Sequence, residues 1–219
     1  QLRDFPVVLV QAPAGYGKTS LLAQWRREHL SLGRVVAWLS AQGQDDPSRF
    51  VQSLALAVRQ GAGRPTFGHT LLQGAALAGM TGMEGVTVWL AELAQSALDI
   101  VLIVDEADHL LPATRDALTY LLRNAPSNLR AVVAARTDCR LDIDDLVAYG
   151  SCTVVGPAQL RFQLDETIEL LRRAGGEGPF DAIAPAVFAQ TEGNPLFLRH
   201  PLESGVRVIA YIAAVQTKQ

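Results

Sequence analysis

The sequence predicts an α/β fold of three layers, built on a central, mostly parallel five-stranded sheet and followed by a small helical subdomain. Three observations predict it. Five short runs rich in β-branched residues recur along residues 1–156, and helical patterns follow them. A glycine-rich segment separates the first run from the first helix. After Pro157 the strand-like runs stop and short amphipathic helical patterns take over. Continuous apolar runs of this length suit strands covered on both faces. Strand and helix in alternation make a layered sandwich.

The strands are expected at Val7–Val10, Val35–Leu39, Ile100–Val104, Ala131–Ala134 and Thr153–Val155. The first helix, Thr19–Leu30, sets Leu22, Trp25 and His29 near one face, and Trp25 and Trp38 are expected in the core. Asp46 reads as an N-cap with Pro47 in the first helical position. Phe50, Leu54 and Val58 then recur at helical spacing. Asp45 is assigned to the same cap. Glu84–Leu98 and Ala113–Arg123 complete the set of helices flanking the sheet. Residues 61–85 hold seven glycines and little helical signal. They are expected to form a mobile surface excursion with a short helix at Thr70–Ala78. Leu164–Arg173 and Phe180–Gln190 are the helices of the subdomain, residues 157–219. Gly205–Val215 is ambiguous between strand and helix.

Composition narrows the function. Of 219 residues, 49% are hydrophobic, which provides for a sizeable core, and the net charge of −3 gives no electrostatic footprint for nucleic acid. Cys139 and Cys152 have no metal or redox spacing and point to a reduced, cytoplasmic protein. No signal peptide or apolar run long enough for a membrane span is visible. The chain begins at Gln1 and reaches a strand almost at once, so it is expected to be a piece of a longer protein.

The segment VVLVQAPAGYGKTSLL, residues 7–22, carries the first chemistry. A phosphate-binding loop reads Gly, four residues, then Gly-Lys-Ser/Thr. Here Ala12 replaces the first glycine and the rest fits. Gly15 and Gly17 let the backbone turn its N–H groups toward phosphate oxygens. The helix that follows adds the positive end of its dipole. Lys18 brings a point charge to the β- and γ-phosphates, and Thr19 offers a hydroxyl to Mg²⁺. Pro13, Ala14, Gly15, Tyr16, Gly17, Lys18, Thr19 and Ser20 are the candidate nucleotide-binding run, and the fold becomes a P-loop NTPase. The plainer alternative is a strand–turn–helix with an incidental lysine.

Such a loop needs an apolar strand ending in an acid. IVLIVDE, residues 100–106, supplies it. Asp105 is the candidate Mg²⁺ residue alongside Thr19. Glu106 is the candidate that polarises the attacking water. The alternative here is helix capping by Asp105 or Asp108, and capping by Asp108 is compatible with the metal reading. The next strand runs into Arg136, at the edge where α/β ligands bind, and Arg136 is the candidate reader of the γ-phosphate. Its alternative is a surface arginine paired with Asp138 or Asp142. Glu106, Lys18 and Arg136 form the catalytic set. His109 is read as structural, and Arg172-Arg173 as a solvated helix face.

The stretches APAGYGKTSLLAQW, VVAWLSAQGQDDPSRF, IVLIVDEADHL, NLRAVVAARTD and TEGNPLF, in this order, resemble the nucleotide-binding module of MalT-like, LuxR-type transcriptional regulators. These belong to the STAND class of signal-transduction ATPases, and the resemblance covers roughly residues 5–198. It implies a slowly hydrolysing ATP/ADP switch that uses Mg²⁺. It also implies self-association of the full-length ATP-bound protein. By the same resemblance, Arg136 matches an arginine after the fourth core strand. Gly193-Asn194-Pro195 matches a Gly-x-Pro element whose proline packs on the base. Asn194 stands where the family often has an aromatic. No helix-turn-helix is visible, so direct DNA binding by this chain is not expected. Two readings from other classes remain open: a motor or remodelling ATPase of the AAA kind, with Arg115, Arg123 or Arg130 as a finger, and a non-hydrolysing nucleotide-binding scaffold.

Overall fold

The computed structural model describes residues 5–73, 79–175, 180–195 and 198. The chain divides into two compact units. One comprises residues up to Ala12 together with Lys18–Val155; the other begins at Gly156 and takes in Pro13–Gly17.

The first unit is the sheet and its helices. Its strands are β1 (Val7–Gln11), β2 (Val35–Ser40), β3 (Ile100–Asp105), β4 (Leu129–Ala135) and β5 (Cys152–Val155). They pair in the order β2-β3-β4-β1-β5, and every pairing is parallel. All five expected strands form, each extended by one to three residues. The helices are α1 (Lys18–Ser31), α2 (Pro47–Ala62), α3 (His69–Leu72), α4 (Gly82–Gln95), α5 (Pro112–Arg123) and the short α6 (Asp144–Ala148).

Period-2 alternation sends one set of strand side chains to each face. Leu9, Leu39, Leu102, Val104, Ala131 and Val133 join Phe50, Leu54 and Val58 of α2, Trp89 and Leu93 of α4, and Leu118 and Leu121 of α5 in one continuous core. The intervening residues Val8, Val10, Val36, Val101, Ile103 and Val132 are buried as well. Helix α1 touches β2, β3 and β4, and buries Leu22 and His29. Both faces of the sheet are covered, as continuous apolar strands require.

Local signals explain the helix starts. Asp46 caps α2: its carboxylate accepts the Arg49 N–H at 2.8 Å, and Pro47 follows. Asp45 has a different task. It accepts the Gln42 N–H, and its carbonyl accepts the buried Thr114 hydroxyl at 2.7 Å, tying the start of α2 to α5. Thr81 and Glu84 form a reciprocal capping box at the start of α4.

Two expectations about the core are corrected. Trp25 and Trp38 are half-buried; the fully buried tryptophan is Trp89. Residues 61–85 are not a surface excursion throughout. Phe67 and Leu71 are core residues, and the Phe67 ring meets Trp89 edge-on with centroids 6.3 Å apart. The described part of the expected Thr70–Ala78 helix forms as His69–Leu72, and residues 74–78 lie outside the described residues. Several glycines there serve close packing, which sequence cannot tell from flexibility. A Cβ on Gly61 would collide with the Val36 carbonyl, and one on Gly85 would crowd Val51.

The second unit holds α7 (Pro157–Leu160), α8 (Leu164–Gly175) and α9 (Phe180–Thr191). Leu171, Ala184, Val187 and Leu198 make its small core. Gly193 has φ of +69°, and any Cβ there would strike the Phe162 carbonyl, so the glycine of TEGNPLF is fixed by packing. The Phe162 N–H donates to the Gly193 carbonyl at 2.8 Å. Arg172 and Arg173 are exposed as expected, paired with Asp181 and Glu169. Gly205–Val215 lies outside the described residues. Among the described residues, no helix is long and apolar enough to cross a membrane.

Gly61→Ala should destabilise the chain by about 1–3 kcal/mol, because α2 must shift off β2 to admit the methyl group. Urea unfolding checks this, and an unchanged midpoint contradicts the packing role.

Candidate functional site

The sheet order sets the site. β4 lies between β1 and β3, so the residues that leave three parallel strands emerge side by side at one edge. From β1 the chain passes through Gln11 and Ala12 into the loop. From β3 it passes through Asp105 into Glu106, and from β4 through Ala135 into Arg136.

Pro13–Gly17 join β1 to α1. Gly15 and Gly17 take φ of +82° and +75°, conformations that a side chain would resist. Helix α1 begins at Lys18 with no acidic residue in its first turn, so no carboxylate offsets the positive end of its dipole. Thr19 and Ser20 are exposed in that first turn. Pro13 and Ala14 are exposed, and Tyr16 is half-buried. The Lys18 ammonium donates to the Ala12 carbonyl at 2.7 Å. Burial is the largest influence on it and pulls its pKa below the ordinary 10.5; Asp108 opposes this, Arg136 adds to it, and Asp105 and Glu106 oppose it. The ammonium therefore stands within electrostatic reach of every charged group expected at the site.

Asp105 ends the fully buried β3, and its residue is 3% exposed. One carboxylate oxygen accepts the Glu106 N–H at 2.9 Å. Glu106 is left-handed, with φ of +57°, and exposed. Non-glycine residues held there cost about 1–3 kcal/mol and cluster at functional sites. This conformation turns the chain sharply from β3 into the 3₁₀ turn Ala107–His109.

Asp108 does not cap the next helix. Leu111 occupies the N-cap position of α5, with no side-chain cap, and Pro112 follows. Asp108 instead faces Arg136: its carboxylate accepts the Arg136 backbone N–H at 3.1 Å and forms an ion pair with Nε at 3.2 Å. The alternative pairing of Arg136 with Asp138 or Asp142 does not form; Asp142 pairs with Arg123. His109 lies at the surface, 3.8 Å from Asp108.

Sequence reasoning missed Gln11. Its side-chain amide donates to the Cys139 carbonyl at 2.7 Å and to the Arg136 carbonyl at 3.3 Å, so the end of β1 holds the loop after β4. A polar residue closing an apolar strand was the available signal. The partners, 125 or more residues away, gave none. Both cysteines are reduced and buried, and burial raises their thiol pKa values. Of the finger candidates, Arg123 is engaged by Asp142 and Asp145, and Arg115 donates to the Leu110 carbonyl. Arg130 is half-buried on β4. Pro195 is half-buried in the second unit, where the Asn194 amide donates to the Tyr16 hydroxyl at 3.2 Å.

The family model for an AAA domain matches residues 4–141. The chain belongs to the AAA domain family. Over 199 residues this AAA domain is 30% identical to the serine/threonine-protein kinase PknK of Mycobacterium tuberculosis, and to the same kinase of Mycobacterium bovis. The match covers 88% of this chain and spans 18% of the relatives' length. A crystal structure of a DNA replication initiation factor aligns with 99% of this chain and 60% of its own, with a TM-score of 0.51 and 13% identity, a likeness of fold.

Because its pKa is lowered, folded Lys18 releases its proton at lower pH than the unfolded chain does. In that window the unfolded state binds more protons, so stability rises with pH. The wild-type chain should gain stability relative to Lys18→Met as pH rises from neutral toward 10.5. A pH-independent difference between the two in urea titrations contradicts the buried setting of Lys18.

Proposed function

We propose that this AAA domain is a slow, ATP-responsive switch module within a longer regulatory chain, using ATP/ADP and Mg²⁺. The observation that carries the proposal is the delivery of Lys18, Asp105, Glu106, Asp108 and Arg136 to one edge of the sheet, where the other four act electrostatically on the Lys18 ammonium. The two cations, Lys18 and Arg136, would face phosphate oxygens, and Asp105 would face the metal.

The donor chemistry suits magnesium. Among the described residues, no three His, Cys, Asp or Glu side chains are grouped to hold a metal alone. Mg²⁺ instead takes one or two protein oxygens and fills its shell with phosphate and water. Thr19 and Asp105 are the residues that would hold it. Bound there, the ion would neutralise charge developing on the phosphates.

Each side chain then has a stated task. The loop backbone from Pro13 to Gly17, with the first-turn N–H groups of Lys18, Thr19 and Ser20, would receive phosphate oxygens. Lys18 would move its ammonium from the Ala12 carbonyl to the β- and γ-phosphates. Glu106 would orient the attacking water and take its proton. Arg136 would contact the γ-phosphate and so distinguish ATP from ADP.

The switch reading, in place of a motor, rests on the resemblance to MalT-like regulators and on the internal engagement of Arg115 and Arg123, which leaves no free arginine finger in either. By that resemblance the longer protein is a transcriptional regulator that self-associates when ATP is bound, with DNA recognition outside this chain. A second reading keeps the switch and changes its output: the PknK match supports a module that gates a kinase within a much longer chain.

Lys18→Ala should weaken ATP binding at least roughly tenfold, since a charge-assisted contact to phosphate is lost. Unchanged affinity by calorimetry contradicts the phosphate loop. Glu106→Gln should hold ATP affinity within about threefold while turnover falls on the order of 10²–10⁴. Asp105→Ala should leave weak, Mg²⁺-independent binding and no hydrolysis; metal-dependent turnover in that variant contradicts the role given to Asp105.

A further inference from the structure

Arg136 is held along one edge. Its backbone N–H donates to one carboxylate oxygen of Asp108 at 3.1 Å, and its Nε lies 3.2 Å from the other in an ion pair. The two terminal nitrogens, Nη1 and Nη2, make no hydrogen bond to the described residues. The Asp108 side chain is 11% exposed, and that of Arg136 is 52% exposed. One partner is thus fixed in the protein while the other reaches outward. A planar guanidinium clamped at Nε presents its far edge in a set direction, with less freedom left to lose when an anion arrives. The loop behind it is fixed independently by Gln11, whose amide donates to the carbonyls of Arg136 and Cys139. Arg136 and Asp108 both act electrostatically on Lys18, so the pair lies within reach of the Lys18 ammonium.

We propose that Asp108 is a positioning residue that aims the Nη edge of Arg136 at the terminal phosphate and thereby sets the discrimination of ATP from ADP. This deepens the switch reading and rests on it. Asp108 touches neither phosphate nor water in this scheme and acts through Arg136. Removing its negative charge relieves repulsion of ATP, the more highly charged nucleotide, at least as much as of ADP, so loss of charge alone would not lower the ratio. The aim of Arg136 matters for ATP alone, so the ratio of the two affinities isolates the positioning effect.

The test measures ATP and ADP affinities by calorimetry for the wild-type chain, Asp108→Asn, Asp108→Ala, Arg136→Ala and the double Asp108→Ala/Arg136→Ala. Asp108→Asn keeps the size of the side chain and an acceptor for the backbone N–H, which covers the case in which the alanine variant folds poorly. The expected result is a fall in the ATP-over-ADP ratio of about three- to tenfold in Asp108→Ala, on the scale of a partly exposed charged hydrogen bond. Asp108→Asn should fall between it and wild type. The double variant should show the same ratio as Arg136→Ala alone, since one residue works through the other. A ligand-free readout accompanies these: the Arg136 Nε–H resonance, assigned by its loss in Arg136→Lys, should exchange with solvent faster in both Asp108 variants. An unchanged ratio in both Asp108 variants, or a double variant that adds the two losses, overturns the inference and leaves the nucleotide site standing. A wild-type chain that binds neither nucleotide overturns the switch reading and this inference together.

Discussion

The parallel register of β1, β4 and β3 is the constraint on which the rest depends. Gln11 of β1 lies opposite Ala135 of β4, and Val133 of β4 opposite Val104 of β3. Three strands that end level deliver the loop lysine, the arginine and the acid pair to one edge within a few residues of one another. The register itself is secured by burial. Leu9, Leu102 and Val133 share one core, and their neighbours are buried on the other face, so a slip of one residue would exchange the two faces of a fully covered sheet. Apolar packing along the strands thus fixes the placement of charges at their ends.

Those charges offset one another at the sheet edge. Lys18 is partly buried, and its charge is costly there. The Ala12 carbonyl accepts a hydrogen bond from the ammonium, and Asp108, Asp105 and Glu106 offset the cost of burying it. Arg136 adds repulsion and is itself paired with Asp108. The protein's own carbonyl and carboxylates thus hold both cations in place. The backbone that carries Arg136 is braced by Gln11.

Much of this was legible in the residues. The strand runs, the Asp46-Pro47 start and the Phe50, Leu54, Val58 stripe are local signals, and local sequence decides them. The placement of Asp105 and Arg136 at strand ends, and of Lys18 at the start of the first helix, was legible because the apolar runs before them mark where each strand stops. The errors share one physical cause, which is tertiary packing. Gly61 and Gly85 looked like flexibility and are points of close approach. Asp108 looked like a cap because Asp is a good cap, yet its partner came from β4. Trp25 and Trp38 looked like core because tryptophan is large, while Trp89 had α2 and Phe67 to cover it. Gln11 could not be read at all, since its partners are distant in sequence.

The most direct measurement is made on the purified chain. The protein is denatured, any released nucleotide is identified, and turnover of fresh ATP with Mg²⁺ is timed on an undenatured sample. The account predicts adenine nucleotide retained in, or readily taken up by, the site, with turnover far slower than the 1–10³ s⁻¹ usual for enzymes. A chain that neither carries nor binds ATP contradicts the nucleotide site, and rapid steady turnover contradicts the switch.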